Sequence, residues 1–540
     1  MCTITARVDK RTQLWDNVLL YISKHGQHIG SLDLSVGHYD SVEVWQLPRN
    51  LQKLTSLQCC QVYLQLQRYT DGHPQGFDGV LGAEQPLKQL RLHRCRLRDG
   101  RKGLMTALPL LTTLEHIRIT DSVSSGGGQN AHFPADVLQV LPQLTHLELS
   151  DLDLEEPEGL QHLQGLTRLQ DLRLAFVHPH ELQASLPAGL TQLTRLEVIH
   201  TGCLRVEPSA LRGLTQLQHV AWQAGPSGGP APAQVLPLLQ EMQQLTYLEL
   251  GDSSYPHAED DTSSSSSLDE DEDEDDIGSR SPAAAEDYIS TRIISAAACS
   301  ALTASSKLQH LDISRLQLPA GVWPHIFPAG RQLPQLKLFS TVRIVDDGRM
   351  IMPHYGGPTR LPARDAKPLP VAPEGSSLVS CCPGLTCLQV GPFQGVAELL
   401  APLQGLSGLH ELHTHVPAST EGYQTVCQLT GLRKLYVKED GETEGLLLQL
   451  TQLRQLTYLE YMGHVDGKRT HQLYDEVSCL LGWVVLWLPH VCTGVGCNPA
   501  LAGLDGQCAL CGWCEACMTR LHATEAPARS VCVCQACHRK

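Results

Sequence analysis

Apolar residues along this chain fall into one recurring six-residue phrase, Leu-x-x-Leu-x-Leu, whose intervening positions are mostly polar. It is read at Leu87/Leu90/Leu92, Leu114/Ile117/Ile119, Leu144/Leu147/Leu149, Leu169/Leu172/Leu174, Leu193/Leu196/Val198, Leu217/Val220/Trp222 and Leu245/Leu248/Leu250. It returns at Leu308/Leu311/Ile313, Leu385/Leu388/Val390, Leu409/Leu412 with Thr414 in the third place, Leu432/Leu435/Val437 and Leu456/Leu459/Tyr461. First leucines at 144, 169, 193 and 217, and again at 385, 409, 432 and 456, give steps of 25, 24, 24 and 24, 23, 24 residues. The last two apolar positions are two apart, so both point to one face of a short strand and the residues beside them to the other. A second leucine set precedes the strand in three-residue steps, as in Leu160/Leu163/Leu166 and Leu400/Leu403/Leu406, and predicts a helical or 3-10 return behind the sheet. No strand this short buries its own leucines. Stacked copies do, by pairing into a parallel sheet over one shared core.

A period of about 20–29 residues with this consensus resembles that of leucine-rich-repeat proteins. The expected fold is therefore an α/β solenoid, a curved parallel β-sheet with helical or 3-10 convex returns, disordered insertions and a Cys-rich tail. The expected divisions are an N-terminal helical cap (1–27), a first repeat block (28–250), an acidic Ser-rich insertion (251–300), further repeats (301–341), a Pro-rich irregular insertion (342–380), a second repeat block with its cap (381–490) and the tail (491–540). In the cap, Leu14, Val18, Leu19 and Ile22 lie on one side of a predicted helix that leads into a first strand, Ile29/Leu32/Leu34. Cys95 follows the Leu90/Leu92 strand at a place that suits a small buried side chain. The longest apolar run, Cys479 to Leu488, is far short of the roughly 20 residues a bilayer needs, and reads as a last strand or terminal cap.

Composition sharpens this picture in one respect. Net charge is −16, but residues 251–290 hold 14 acids and one Arg, and the other 500 residues hold 43 acids and 40 bases. The acidity thus belongs to one insertion, which has too little apolar content to fold and which lengthens the step from Leu245 to Leu308 to 63 residues. Ser266 and Ser267 precede Asp269 and Glu270 by three residues, a spacing that resembles acidophilic kinase sites. Arg343 to Ser377 carries six prolines and no repeat phrase, and reads as a second loop. The near-neutral body gives no sign of nucleic-acid binding, and no membrane partner is expected. Met1-Cys-Thr-Ile-Thr-Ala-Arg-Val-Asp lacks the apolar stretch of a secretory leader, so the expected location is cytoplasmic, with nuclear or cytoskeletal association as alternatives.

Residues 13–34, with Trp15 and then Lys24-His25-Gly26-Gln27-His28-Ile29-Gly30-Ser31-Leu32-Asp33-Leu34, resemble the start of the repeat domain in green-algal leucine-rich-repeat proteins, many of them F-box-like. In that family an F-box helix bundle precedes this segment and docks the protein on a ubiquitin-ligase scaffold, so the resemblance implies a substrate-receptor role. Here twelve residues precede Gln13, and no Leu-Pro-x-x-x-Leu-x-x-Ile-Phe stretch is visible.

Nine of the 20 cysteines lie in the last 49 residues: Cys492, Cys497, Cys508, Cys511, Cys514, Cys517, Cys532, Cys534 and Cys537, with His538 beside the last. Zinc takes four thiolate or imidazole ligands, and Cys-x-x-Cys turns supply them in pairs, so these ten residues could fill two sites. Disulfides, an iron–sulfur cluster, haem attachment through Cys534-Gln-Ala-Cys537-His538 and an unstructured tail stay open as alternatives, and an E3-like or redox activity of the tail is the corresponding third function. Elsewhere there is no phosphate-cradling Gly loop, nucleophile elbow or His-Glu-x-x-His helix, and the chain reads as non-enzymatic. The leading expectation is a protein-interaction scaffold whose concave strand face contacts an unknown protein partner. Its candidate contact residues are Gln89, Arg91, His93, His116, Arg118, His146, Glu148, Asp171, Arg173, Arg195, Glu197, His219, Tyr247, Glu249, His310, Asp312, Glu411, His413, Lys434, Tyr436, Lys438, Tyr458 and Glu460. Of these, His116, His146, His219 and His310 share one repeat position, just before the second apolar residue, and are expected to face solvent.

Overall fold

The computed structural model describes residues 2–8, 13–36, 51–60, 63–64, 68–70, 73–75, 86–93, 95–97, 108–120, 132–133, 135–154, 159–179, 189–201, 211–224, 232–252, 294–316, 318–319, 321–341, 372–391, 396–417, 420–440, 449–462 and 484–487. The chain forms two compact units, Met1–Arg343 and Ile344–Lys540. Both have the α/β architecture of a leucine-rich-repeat solenoid.

In the first unit the strands are β1 (Cys2–Val8), β2 (Ile29–Val36), β3 (Ser56–Cys60), β4 (Tyr63–Leu64), β5 (Arg68–Thr70), β6 (His73–Gln75), β7 (Gln89–His93), β8 (Arg96–Leu97), β9 (His116–Thr120), β10 (His132–Phe133), β11 (His146–Leu154), β12 (Asp171–Pro179), β13 (Arg195–Thr201), β14 (His219–Ala224), β15 (Tyr247–Asp252), β16 (His310–Arg315) and β17 (Leu338–Thr341). Apart from the short side pairs β4–β8 and β5–β6 and the two-residue β10, they form one ladder of parallel neighbours in chain order. Register places the second apolar residue of each phrase in one row. Leu147 is opposite Ile117 and Leu172, Leu196 opposite Val220, and Leu248 opposite Leu311. These residues are buried, as are the third-place residues Leu149, Leu174, Val198, Trp222 and Leu250. At about 1.5–3 kcal/mol for each fully buried Leu or Val, the core is a sum over identical rungs.

Between strands, the leucines at three-residue steps make 3-10 turns. Amide-to-carbonyl bonds of 3.0 Å join Leu111 to Leu108 and Leu114 to Leu111, and the same pattern recurs from Leu141 to Leu138 and from Leu169 to Leu166. Gly159–Gly165 and Ala135–Val140 are 3-10 helices, as the spacing predicts. Threonine after the first leucine ties neighbouring repeats together. Its hydroxyl donates to the preceding repeat's carbonyl oxygen from Thr55 to Gly30 (2.9 Å), Thr145 to Glu115 (3.0 Å), Thr194 to Gln170 (3.1 Å) and Thr246 to Gln218 (2.9 Å). Cys95 is buried, its thiol 3.2 Å from the Cys59 carbonyl oxygen, as expected for that position.

Several boundaries differ from expectation. The N-terminal segment holds the expected helix α1 (Gln13–His25), with Ile22 buried, but also β1, parallel to β2. Its Ile4 and Val8 carry the alternation without any leucine, which hid the strand. Two repeats lack the full phrase. Leu54/Leu57/Cys59 and Leu336/Phe339/Thr341 put Cys, Phe or Thr where leucine is usual, yet all of them are buried. The acidic insertion is shorter than 251–300. Gly251 and Asp252 complete β15, and Ala297–Thr303 is a 3-10 helix with Cys299 and Leu302 buried. Across that long step β15 and β16 begin in the common register, Tyr247 opposite His310, which shifts between Glu249 and Gly251. Two further helices described in this unit are α2 (Pro232–Leu239) and α3 (Trp323–Ile326).

In the second unit, β18 (Cys387–Gln389), β19 (Glu411–Pro417), β20 (Lys434–Asp440), β21 (Tyr458–Met462) and β22 (Val484–Trp487) are parallel in chain order. Helices α4 (Gly375–Cys381), α5 (Val396–Leu400) and α6 (Thr420–Cys427) and the 3-10 turn Ala401–Gly405 return the chain. Helix α4 begins inside the stretch read as irregular (342–380), where its buried apolar residues are Leu378 and Cys381 rather than a leucine phrase. Gly375 starts it where a Cβ would collide with the Leu399 carbonyl. The apolar run after Cys479 supplies β22, as expected of a last strand. Thr414 takes the third apolar place of β19. It is buried, and its hydroxyl has no hydrogen-bond partner among the described residues. No described helix is long and apolar enough to cross a membrane.

Candidate functional site

Strand alternation sends the residues flanking the second apolar position to the open face of the sheet, and ladder register stacks them in rows. In the first unit one row runs Gln89, His116, His146, Asp171, Arg195, His219, Tyr247, His310. The next runs Arg91, Arg118, Glu148, Arg173, Glu197, Ala221, Glu249, Asp312. His93 stands at the end of β7, its Nδ1 2.7 Å from the Thr120 hydroxyl. The structure thus brings together the candidate residues of this unit, and alternation explains why.

The rows are knitted by charge and by stacking. Glu148 lies 3.2 Å from Arg118 Nε and 3.7 Å from Arg173 Nε. Glu197 accepts a 2.9 Å hydrogen bond from Arg195 Nε and stands 2.9 Å from Arg173 Nε and 3.1 Å from His219 Nε2. Asp171 is 3.9 Å from Arg195. Imidazole rings of His116 and His146 stack at 4.1 Å, and Tyr247 is sandwiched by His219 at 3.9 Å and His310 at 4.1 Å. The Tyr247 hydroxyl donates to Glu249 Oε2 at 2.8 Å.

Two expectations change here. Glu197 is not an exposed contact, since its side chain is only 6 % accessible beneath its cations. Burial pushes its carboxyl up, but the adjacent His219 ring, the hydrogen bond from Arg195 and the charges of Arg173 and Arg195 outweigh this and hold it at about 2. Nor are the four aligned histidines plainly solvent-facing. They are half-buried in their stacks, and burial lowers the basicity of His116 and His310, with Asp312 and Glu249 partly opposing this at His310.

Between these rows lies a depression of about 230 Å³ lined by Arg91, His116, Ile117, Arg118, His146, Leu147, Glu148, Asp171, Arg173 and Arg195. Four guanidinium groups there face two carboxylates. Asp171 is made less acidic by burial, against the pull of Arg195.

The second unit's open face differs. Its rows run Cys387, Glu411, Lys434, Tyr458 and Gln389, His413, Tyr436, Glu460. Glu411 Oε1 is 2.9 Å from His413 Nε2, and Oε2 is 3.2 Å from Lys434 Nζ. Tyr436 stacks on His413 at 3.8 Å and leans on Tyr458 at 5.1 Å, whose hydroxyl donates to Glu460 at 2.9 Å. Lys438 continues β20 opposite His415. Cys387 was not among the expected site residues, because an apolar reading of cysteine conceals that it occupies the same outward position as Glu411. Burial and the neighbouring carboxylate push its thiol up to about 12. The sulfur of Cys387, a carboxylate oxygen of Glu411 and a ring nitrogen of His413 all lie within 4.8 Å of one another. The ten tail residues from Cys492 to His538 lie outside the described residues.

No protein-family model matches this sequence, and no curated relative matches it. Among solved structures, the chain is similar to a leucine-rich-repeat protein of Leptospira interrogans, at 13% identity and a TM-score of 0.42, over 89% of this chain and 100% of that one. It is also similar to an internalin of Listeria monocytogenes, at 13% identity and a TM-score of 0.30, over 80% and 83% of the two chains. A third is the ectodomain of a membrane receptor kinase from Arabidopsis thaliana in complex with Casparian strip integrity factor 2, at 14% identity and a TM-score of 0.31, over 86% and 53%. No function is carried over from them.

Proposed function

We propose that the chain is a non-enzymatic protein-interaction scaffold that engages its partner on the open strand face, with the first unit's depression taking an acidic segment of that partner. The observation that carries this is the guanidinium excess around Arg91, Arg118, Arg173 and Arg195. Glu148 and Glu197 already occupy parts of Arg118, Arg173 and Arg195, but no ion pair of Arg91 is found among the described residues. Arginine forks recognise carboxylates bidentately, and a strand-borne array is rigid before binding.

The test is titration of the full chain with a fluorescent Asp/Glu-rich peptide and with its Lys-rich counterpart. Binding should be selective for the acidic peptide, weaken with salt, and fall by about ten-fold or more in Arg91→Glu/Arg118→Glu with the melting transition unchanged. Equal binding of both peptides, or an unaltered affinity in the variant, would sink it.

Buried thiols outside any disulfide, at Cys59, Cys299, Cys382 and Cys427, support a reducing, intracellular setting, which we include in the proposal. Substrate-receptor duty for a ubiquitin ligase rests on the resemblance at residues 13–34 alone, and zinc in the tail on its cysteine spacing alone.

A further inference from the structure

We propose that Cys387, Glu411 and His413 form a binding site for a single divalent transition ion, zinc in first place, on the open face of the second unit. Three donors of different softness converge there from two adjacent parallel strands. Glu411 and His413 are two apart on β19, so both project from one face, and ladder register sets Cys387 directly opposite Glu411. Thiolate, imidazole and carboxylate together suit zinc rather than magnesium or calcium, which prefer oxygen alone.

The distances fit. Ligand bonds of about 2.0–2.3 Å in a tetrahedron set donor atoms about 3.3–3.7 Å apart. Here Glu411 Oε1 and His413 Nε2 are 2.9 Å apart, and the donor atoms of the trio lie within 4.8 Å of one another. Small side-chain rotations close that interval in both directions.

The surroundings are those of an oriented site. Lys434 Nζ engages Glu411 Oε2 at 3.2 Å and so leaves Oε1 to the trio. The Tyr436 ring lies over His413 at an interplanar angle of 14° and fixes the imidazole. The Gln389 amide nitrogen is 4.0 Å from the Cys387 sulfur, in place to donate to a thiolate. Such outer partners hold ligands in their binding orientation. Cys387 is 9 % exposed, while the side chains of Glu411 and His413 are 26 % and 31 % exposed. Three protein ligands leave a fourth coordination position for water or for a donor from outside the chain.

The experiment uses the full chain with serine at the nine tail cysteines, so that tail thiols contribute nothing. Cobalt titration should then give one equivalent with a thiolate-to-metal charge-transfer band and tetrahedral ligand-field absorption, and zinc should displace it. Cys387→Ser should abolish the charge-transfer band. His413→Gln should weaken cobalt binding by about ten-fold or more, whereas Cys382→Ser and Cys427→Ser should leave both readouts in place. Should Cys387→Ser fail to fold, His413→Gln and Glu411→Gln read the same site through affinity. Absence of a thiolate band in the tail-substituted chain, or a band that survives Cys387→Ser, would overturn the assignment.

Discussion

The two open faces rest on the same kind of core and carry different chemistry. In both units the buried row is leucine opposite leucine, Leu147 against Leu172 in one and Leu412 against Leu435 in the other. Yet from Arg118 to Glu197 one outer row of the first unit alternates arginine with glutamate, while the second unit sets a thiol, a carboxylate and an imidazole beside stacked tyrosines. The ladder fixes where neighbouring side chains meet, about 5 Å apart across strands, and leaves their identity to each repeat. Stability and recognition are therefore separable by strand parity.

The largest expected effect tests the shared half of that comparison. Leu172→Ala and Leu412→Ala should each cost about 3 kcal/mol in denaturant unfolding, since both delete a buried side chain from equivalent rungs. A wide gap between them would mean that the units are not built alike. Next comes the half that differs. Glu197→Gln should cost about 2 kcal/mol, because it strips the buried counter-charge from Arg173 and Arg195, whereas the more exposed Glu411→Gln should cost under about 1 kcal/mol. Smaller again is a backbone effect. Gly375→Ala forces α4 off the Leu399 carbonyl and should cost about 1–2 kcal/mol, while Gly165→Ala meets only ordinary contact and should change stability by less than about 0.5 kcal/mol.

The mildest effect is on pH dependence. His116 and His310 are less basic folded than unfolded, so the unfolded chain binds more protons and stability is lost as pH falls from about 6.5 toward their folded values. Glu197 adds a second loss as pH falls from its ordinary value of 4.5 to about 2. His413, whose basicity burial also lowers, belongs to the same phase, so replacing His116, His310 and His413 with Gln should flatten the first phase of an acid melt and leave the second. Persistence of the first phase would assign it elsewhere.

Much of this was legible in the chain because a period-two strand inside a period near 24 fixes both facing and alignment. Leu144 and Leu169 alone suffice to place Glu148 beside Arg173. What escaped the sequence depended on substitution or on depth. Cys59 and Phe339 fill leucine positions without spelling the phrase, and β1 is built on isoleucine and valine. The burial of Glu197 could not be read from its outward parity, since it is covered by the long side chains of its neighbours rather than by the fold. Cys387 shows the opposite error, in which an apolar residue type obscured an outward position. Setting the phrases in columns adds Tyr247 to the row of His219 and His310 and places Cys387 beside Glu411.

The common register in which β15 and β16 begin has an evolutionary meaning. Gln309 and His310 donate to the Thr246 carbonyl at 2.8 and 3.0 Å, the same pair of bonds that Gln170 and Asp171 make to Thr145. A step of 63 residues thus ends in the same bonds as one of 25. Closing the longer loop costs only about 0.8 kcal/mol more, since the penalty grows with the logarithm of length. Selection can lengthen, shorten or recharge the segment between two rungs while the rungs themselves go on recognising each other, which makes the return side of this protein a place where new sequence is admitted almost without negotiation.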